Sequence, residues 1–295
     1  MAEFSWHEVY YSDLQSLYAL LVAPIAFLAW RMAAGADERR AIAPGAARFV
    51  SGLTIFFAIE TMIDPIATGP LLELDLFRGN AASTLIPFLF VLLGDLRVLL
   101  LAIGVARPER TLHQKLAWAF GMALIAPIVA GVGFALIGWI WPEIHGQVLW
   151  MIYEFSFLVL CIFLARVWVP RSTPNDPRLA AFLKTIFGYS AAYYALWWVA
   201  DVLIVVADLD LGWAIRIVPN QLYYALWVPF VYWRFFSLPP ENAERQAASS
   251  RSIHASRKRI RESHSCRRAE RSVSCASRSS RKLKRPRRKP SSLFA

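Results

Sequence analysis

FFAIETMIDPIATGP, residues 56–70, sets two carboxylates, Glu60 and Asp64, into a run otherwise suited to hydrocarbon. An ionised side chain near the middle of a bilayer costs about 3 kcal/mol or more, so such residues turn toward a protein interior. Glu60 and Asp64 are four apart, and a helix stacks residues at that spacing on one side. The stretch therefore predicts a membrane helix with an apolar outer face and a polar inner one, which requires neighbouring helices to cover the acids.

The rest of the chain supplies those neighbours. It is 57% apolar, has a mean hydropathy of +0.42 and carries twelve tryptophans, well above soluble-protein usage. A spanning helix takes about 20 mostly apolar residues. Seven segments qualify, at about 14–31, 48–70, 82–105, 116–141, 147–169, 182–207 and 212–236. The expected fold class is all-α: a polytopic membrane protein built as a bundle of seven transmembrane helices. Residues 1–13 form a short N-terminal segment and 14–240 the membrane domain. The first span reads as a retained helix, because Glu3, Glu8 and Asp13 precede it and a basic leader region does not.

Orientation follows the Lys/Arg bias of the short loops. Arg31, Arg39, Arg40 and Arg48 crowd the first connection, Arg107, Arg110 and Lys115 the third, and Arg166, Arg171, Arg178 and Lys184 the fifth; Arg234 begins the tail. The other side offers only Arg78 and Arg216. This places the N-terminus outside and the C-terminus inside, and the expected location is the plasma (inner) membrane. Trp30, Trp118, Trp139, Trp141, Trp168, Trp213 and Trp233 fall at span ends, where amphipathic rings anchor at the interface.

Most polar residues within the spans collect in the outer half. At 1.5 Å per residue, Glu60 and Asp64 lie about 18 and 24 Å from the inner face. Glu154, beside Tyr153, lies about 11 Å below the outer face, and Asp95 and Arg97 about 20 Å down. Ser190, Tyr194, Trp197 and Asp201 form a stripe at steps of 4, 3 and 4; Arg216, Asn220, Tyr223 and Trp227 repeat it on the next helix, with Gln221 adjoining. These stripes predict an outward-facing polar and aromatic cavity lined by the second, third, fifth, sixth and seventh spans. Its candidate ligand-binding residues are Glu60, Asp64, Asp95, Arg97, Tyr153, Glu154, Tyr194, Trp197, Asp201, Arg216, Asn220, Gln221, Tyr223 and Trp227.

Five acids within the spans (Glu60, Asp64, Asp95, Glu154, Asp201) face two bases, Arg97 and Arg216. Ion pairs of Asp201 with Arg216, and of Asp95 or Glu60 with Arg97, would hold helices together and leave three carboxylates over. Surplus acids in an aromatic cavity suit proton coupling or the binding of a small polar or cationic ligand. The reading is a small-solute or proton/cation-coupled transporter. A seven-helix receptor or sensor is the alternative, as is an intramembrane lipid-modifying enzyme using Glu60, Asp64, Glu154 or Asp201 as acid and base.

Other chemistries lack their residues. No histidine lies in a span, and HExxH, GxSxG and Walker loops are missing, so neither a metal site nor a cofactor is expected. Lys115 and Lys184 are the only lysines before residue 241 and sit at span boundaries, which excludes a retinal Schiff base in the seventh span.

From Glu241 the composition changes. Residues 1–240 carry a net charge of −2 and residues 241–295 a net +13, with 13 serines between Ser249 and Ser292. A disordered tail drawn to anionic lipid headgroups is expected. Nucleic acid is disfavoured because no aromatic residues interleave with the charge. His254, His264, Cys266 and Cys275 show no zinc-ligand spacing.

Overall fold

The computed structural model describes residues 4–34, 44–72, 74 and 82–238. Glu3, Arg39, Arg40, Arg78 and the tail from Glu241, which entered the sequence reading, lie outside these residues. The described residues form helices and turns, without strands. In chain order the helices are α1 (Trp6–Tyr11), α2 (Ala19–Ala34), α3 (Pro44–Thr68), α4 (Ala82–Ala106), α5 (Leu112–Ala123), α6 (Ile125–Ile140), α7 (Gln147–Phe163), α8 (Val169–Ser172), α9 (Pro177–Val205), α10 (Leu211–Asn220) and α11 (Trp227–Phe236). Short π-helical turns at Leu14–Tyr18, Leu164–Trp168 and Gln221–Leu226 lead into α2, join α7 to α8 and join α10 to α11.

Local chemistry sets several boundaries. Thr111 and Gln114 form a reciprocal capping box at the start of α5. At α9 the Asp176 carboxylate accepts the Leu179 amide at 3.0 Å, and Pro177 occupies the first turn, where its missing N–H costs nothing.

Five helical stretches are long and apolar enough to cross a bilayer: Leu14–Ala34, Gly45–Thr68, Leu85–Ala106, Leu112–Ile140 and Gln147–Ser172. They correspond to the first five spans of the sequence reading. The remaining two segments, α9 and α10 with α11, are long but carry the polar-aromatic stripes, and the packing shows why they can. Helix α9 lies against α7, α10 and α4, and it buries Ser190, Tyr193, Tyr194, Trp197 and Asp201 among them. Helix α11 packs on α3, and α2 packs on α3 and on the π turn between α10 and α11.

The exposed surface is inverted relative to a water-soluble protein. On α3, Phe56, Ile59, Ile63 and Ile66 are exposed while Phe57, Glu60, Thr61 and Asp64 are buried. The acids of the opening stretch therefore turn inward and the isoleucines outward. On α6, Ile128, Val132 and Leu136 are exposed at successive turns. Exposed apolar faces of this extent belong against lipid, and together with the five apolar helices they make this a helical integral membrane protein.

Gly94 and Gly212 mark close helix approaches. A Cβ on Gly94 of α4 would overlap the Tyr223 hydroxyl, and one on Gly212 of α10 would meet the Ala200 carbonyl oxygen at 2.7 Å. The hairpin between α9 and α10 thus depends on Gly212, and Asp208 turns it with a φ of 51°, a left-handed conformation that aspartate tolerates. Gly212→Ala should lose about 1–3 kcal/mol of stability through overpacking. Gly121→Ala, with open space around it, should stay within about 1 kcal/mol of wild type. Thermal melting of the two variants in detergent checks this; equal melting temperatures would refute the contact.

Candidate functional site

Two polar clusters lie along the interior. The deeper one is built on α4. Asp95, fully buried, accepts the hydroxyl of Tyr153 from α7 at 2.5 Å and the hydroxyl of Tyr194 from α9. Arg97 donates from Nη2 to the Tyr223 carbonyl oxygen at 2.6 Å and from Nη1 to Thr61 Oγ1 at 3.3 Å. Its guanidinium stacks over the rings of Tyr223 and Trp227, 4.2 and 4.7 Å from their centroids. Among the described residues Arg97 makes no ion pair, so the expected pairing with Asp95 or Glu60 does not form. Residues two apart point to nearly opposite sides of a helix, and each charge finds neutral partners on its own side. Glu60 sits by the Thr61 hydroxyl at 3.5 Å.

The second cluster joins α9 to α10. Arg216 Nη1 pairs with Asp201 Oδ1, as the short hairpin between them suggests, and Asp201 Oδ2 accepts Gln147 Nε2 at 2.8 Å. Arg216 Nη2 lies 3.9 Å from Glu154 Oε1. Trp197 Nε1 donates to Asn220 Oδ1 at 2.8 Å. The hydroxyl of Tyr10, from α1, accepts from Asn220 Nδ2 at 3.2 Å and Arg216 Nε at 3.4 Å.

A cavity of about 200 Å³ lies between the clusters. Asp64 of α3, Tyr153 and Glu154 of α7, Tyr194 and Trp197 of α9, and Arg216 and Asn220 of α10 line it. Asp95 and Asp201 stand behind this wall, each holding lining residues in place. Glu60, Arg97, Tyr223 and Trp227 lie outside the lining, and Gln221 instead faces Gln15 at 3.5 Å. Tyr10, Thr68, Pro87, Val91, Trp150 and Tyr224 also line the cavity; they were absent from the sequence-derived set. Tyr224 and Trp150 neighbour residues in that set, whereas nothing in the sequence brings Tyr10 across from the N-terminus.

Tyr10 is brought there by a tie at the surface. Exposed Asp210 accepts the amides of Trp6 at 2.5 Å and His7 at 3.1 Å, and the Ser5 hydroxyl at 3.2 Å. These hydrogen bonds, the Trp6 amide first, hold its carboxyl below its ordinary value. Helix α1 packs on α10, where His7 meets Trp213 edge-on at 4.8 Å.

A second cavity, of about 470 Å³, lies at the opposite end of α4, where Val105, Ala106 and Arg107 contribute to it with Asp176, Leu179 and Leu238. Val91, in the first cavity, and Val105 are about 21 Å apart along the helix axis. Val98, Leu99, Leu101, Ala102 and Ile103, all buried, fill the interval.

Fold and site thus define a helical integral membrane protein with a carboxylate- and aromatic-lined cavity between its helices. No protein-family model, curated protein or solved structure matches the chain significantly.

Arg216 and the cavity acids should respond oppositely to neutralisation. Removing one partner of a buried ion pair leaves the other uncompensated at a cost of about 3–5 kcal/mol, so Arg216→Gln should destabilise through Asp201. Asp64→Asn and Glu154→Gln remove charges with little compensation, and should cost less than about 1 kcal/mol or stabilise. Melting temperatures of the three variants decide this; equal losses would make all the acids structural partners.

The Asp210 tie should be acid-sensitive. Because its folded carboxyl is held below the ordinary value of 3.8, its contribution is complete above that value and is lost as pH falls through the lower, folded one. Hydrogen exchange at the Trp6 and His7 amides should quicken across that fall in wild type, and Asp210→Asn should flatten the response.

Proposed function

We propose that the chain is a seven-helix carrier in the plasma (inner) membrane, N-terminus outside and C-terminus inside, which moves a small polar or cationic solute, alone or coupled to protons. The observation that carries this reading is the pair of cavity carboxylates. Arg216 is committed to Asp201, so Asp64 and Glu154 face a shared space without a full counter-charge between them. Such groups bind and release cations or protons, which is what a coupled carrier requires of intramembrane acids.

The cavities at the two ends of α4 support transport over sensing alone. A carrier offers its site to each side in turn, and the buried apolar stretch of α4 provides the barrier between the two. A ligand-binding receptor would use the first cavity, with α1 docked beside it through Tyr10, and would have no need of the second.

Accessibility to a membrane-impermeant maleimide tests both topology and exchange in a cysteine-free background. Val91→Cys should be modified from outside and Asn175→Cys from inside; the reverse pattern would overturn the orientation. Adding Asp64→Asn and Glu154→Gln, which mimic neutralised carboxylates, should change the two labelling rates in opposite directions. Rates that stay unchanged would overturn the carrier.

A further inference from the structure

Resting on the cavity assigned above, we infer that its ligand is a small primary alkylammonium ion, its N–H groups on Glu154 and Asp64 and its hydrocarbon on the surrounding aromatic rings. The Glu154 side chain is 5% exposed, and its Oε2 has no hydrogen-bond partner among the described residues. Its Oε1 reaches Arg216 only at 3.9 Å, while that guanidinium is already held by Asp201. Asp64, 2% exposed, has the Thr68 hydroxyl of its own helix at 3.3 Å. A buried carboxylate oxygen without a donor, on a side chain that lines the cavity, calls for one from the ligand.

The walls specify the remainder. Tyr153 and Tyr194 spend their hydroxyls on Asp95, and Trp197 spends its indole N–H on Asn220. With those polar atoms engaged, the rings present their faces and edges, surfaces that attract a cation and bury alkyl groups. Among the described residues no group of three or more His, Cys, Asp or Glu could hold a metal ion. Hard metal cations need about six or more oxygen ligands, which aromatic walls do not provide. A quaternary ammonium would satisfy the rings and leave Glu154 Oε2 without a donor. A primary ammonium satisfies both.

Calorimetric titration of the full chain in lipid nanodiscs tests this with butylammonium, tetramethylammonium, sodium and butanol. Butylammonium should bind saturably and about tenfold or more tighter than tetramethylammonium, since the latter leaves a buried acceptor unpaired. Sodium and butanol should give no saturable heat. Glu154→Gln should weaken butylammonium about a hundredfold, while Trp233→Leu, on the exposed face of α11, should not change it. If Glu154→Gln shows no cooperative melt, the ligand series on wild type decides alone. Tetramethylammonium binding as tightly as butylammonium, or full binding by a folded Glu154→Gln, overturns the inference. Absence of cation binding with opposed labelling changes intact overturns the ligand class and leaves the carrier. Butylammonium binding without those changes overturns the carrier and keeps the ligand class.

Discussion

Asp95 holds the bundle in register. Its carboxylate sits at the centre of α4 and takes a hydroxyl from α7 and another from α9, so three helices meet on one acid. A carboxylate at that depth is tolerable only with donors around it, which fixes the rotation of α4 about its axis. With 100° of turn per residue, Arg97 is then directed away from Asp95, onto Thr61 of α3 and the Tyr223 carbonyl at the π turn. The run from Val98 to Ala106 fills the remaining core with apolar side chains. Gly94 completes the arrangement by admitting the Tyr223 ring against α4.

That geometry separates structural charge from surplus charge. Asp95, Arg97, Asp201 and Arg216 each have close partners and hold helices together. Asp64 and Glu154 have weaker ones, the Thr68 hydroxyl at 3.3 Å and Arg216 at 3.9 Å, and both line the cavity. A buried group left short of partners costs stability, so its place beside a cavity is where a binding role compensates for the cost. Four of the aromatic side chains that line this space, Tyr10, Tyr153, Tyr194 and Trp197, are fixed through their polar atoms, so the cavity has a defined shape before anything enters it.

Much of this was legible from spacing. Glu60 and Asp64, four apart on α3, had to share a side, and lipid had to see the other. Asp201 and Arg216 flank a short hairpin and find each other. Counting acids against bases also indicated that some carboxylates would lack a cation. It could not indicate which, because neutral donors enter no such count: two tyrosine hydroxyls serve Asp95, and a carbonyl with two rings serves Arg97. Span-by-span depth likewise could not recover Tyr10, whose place depends on a contact between the two ends of the membrane domain. Hydropathy is lower in α9 and in α10 with α11 than in the five apolar stretches for a related reason. Helices in the interior are excused from being apolar all round, and their tyrosines and tryptophans lower the signal that lipid-facing helices such as α6 give clearly.

The link between Ser5 and Asp210 spans 205 residues of sequence. A chain threaded into the bilayer as it is made presents α1 first and α10 nearly last, so the N-terminal segment has no docking surface until synthesis of the domain is almost done. Contacts between distant parts of a chain form late because the intervening loop must first be closed. Until then Arg216 has not arrived, and Asp201 lacks its cation. Maturation of this protein is therefore a closing step, in which the last hairpin supplies the charge and the floor on which the first helix settles.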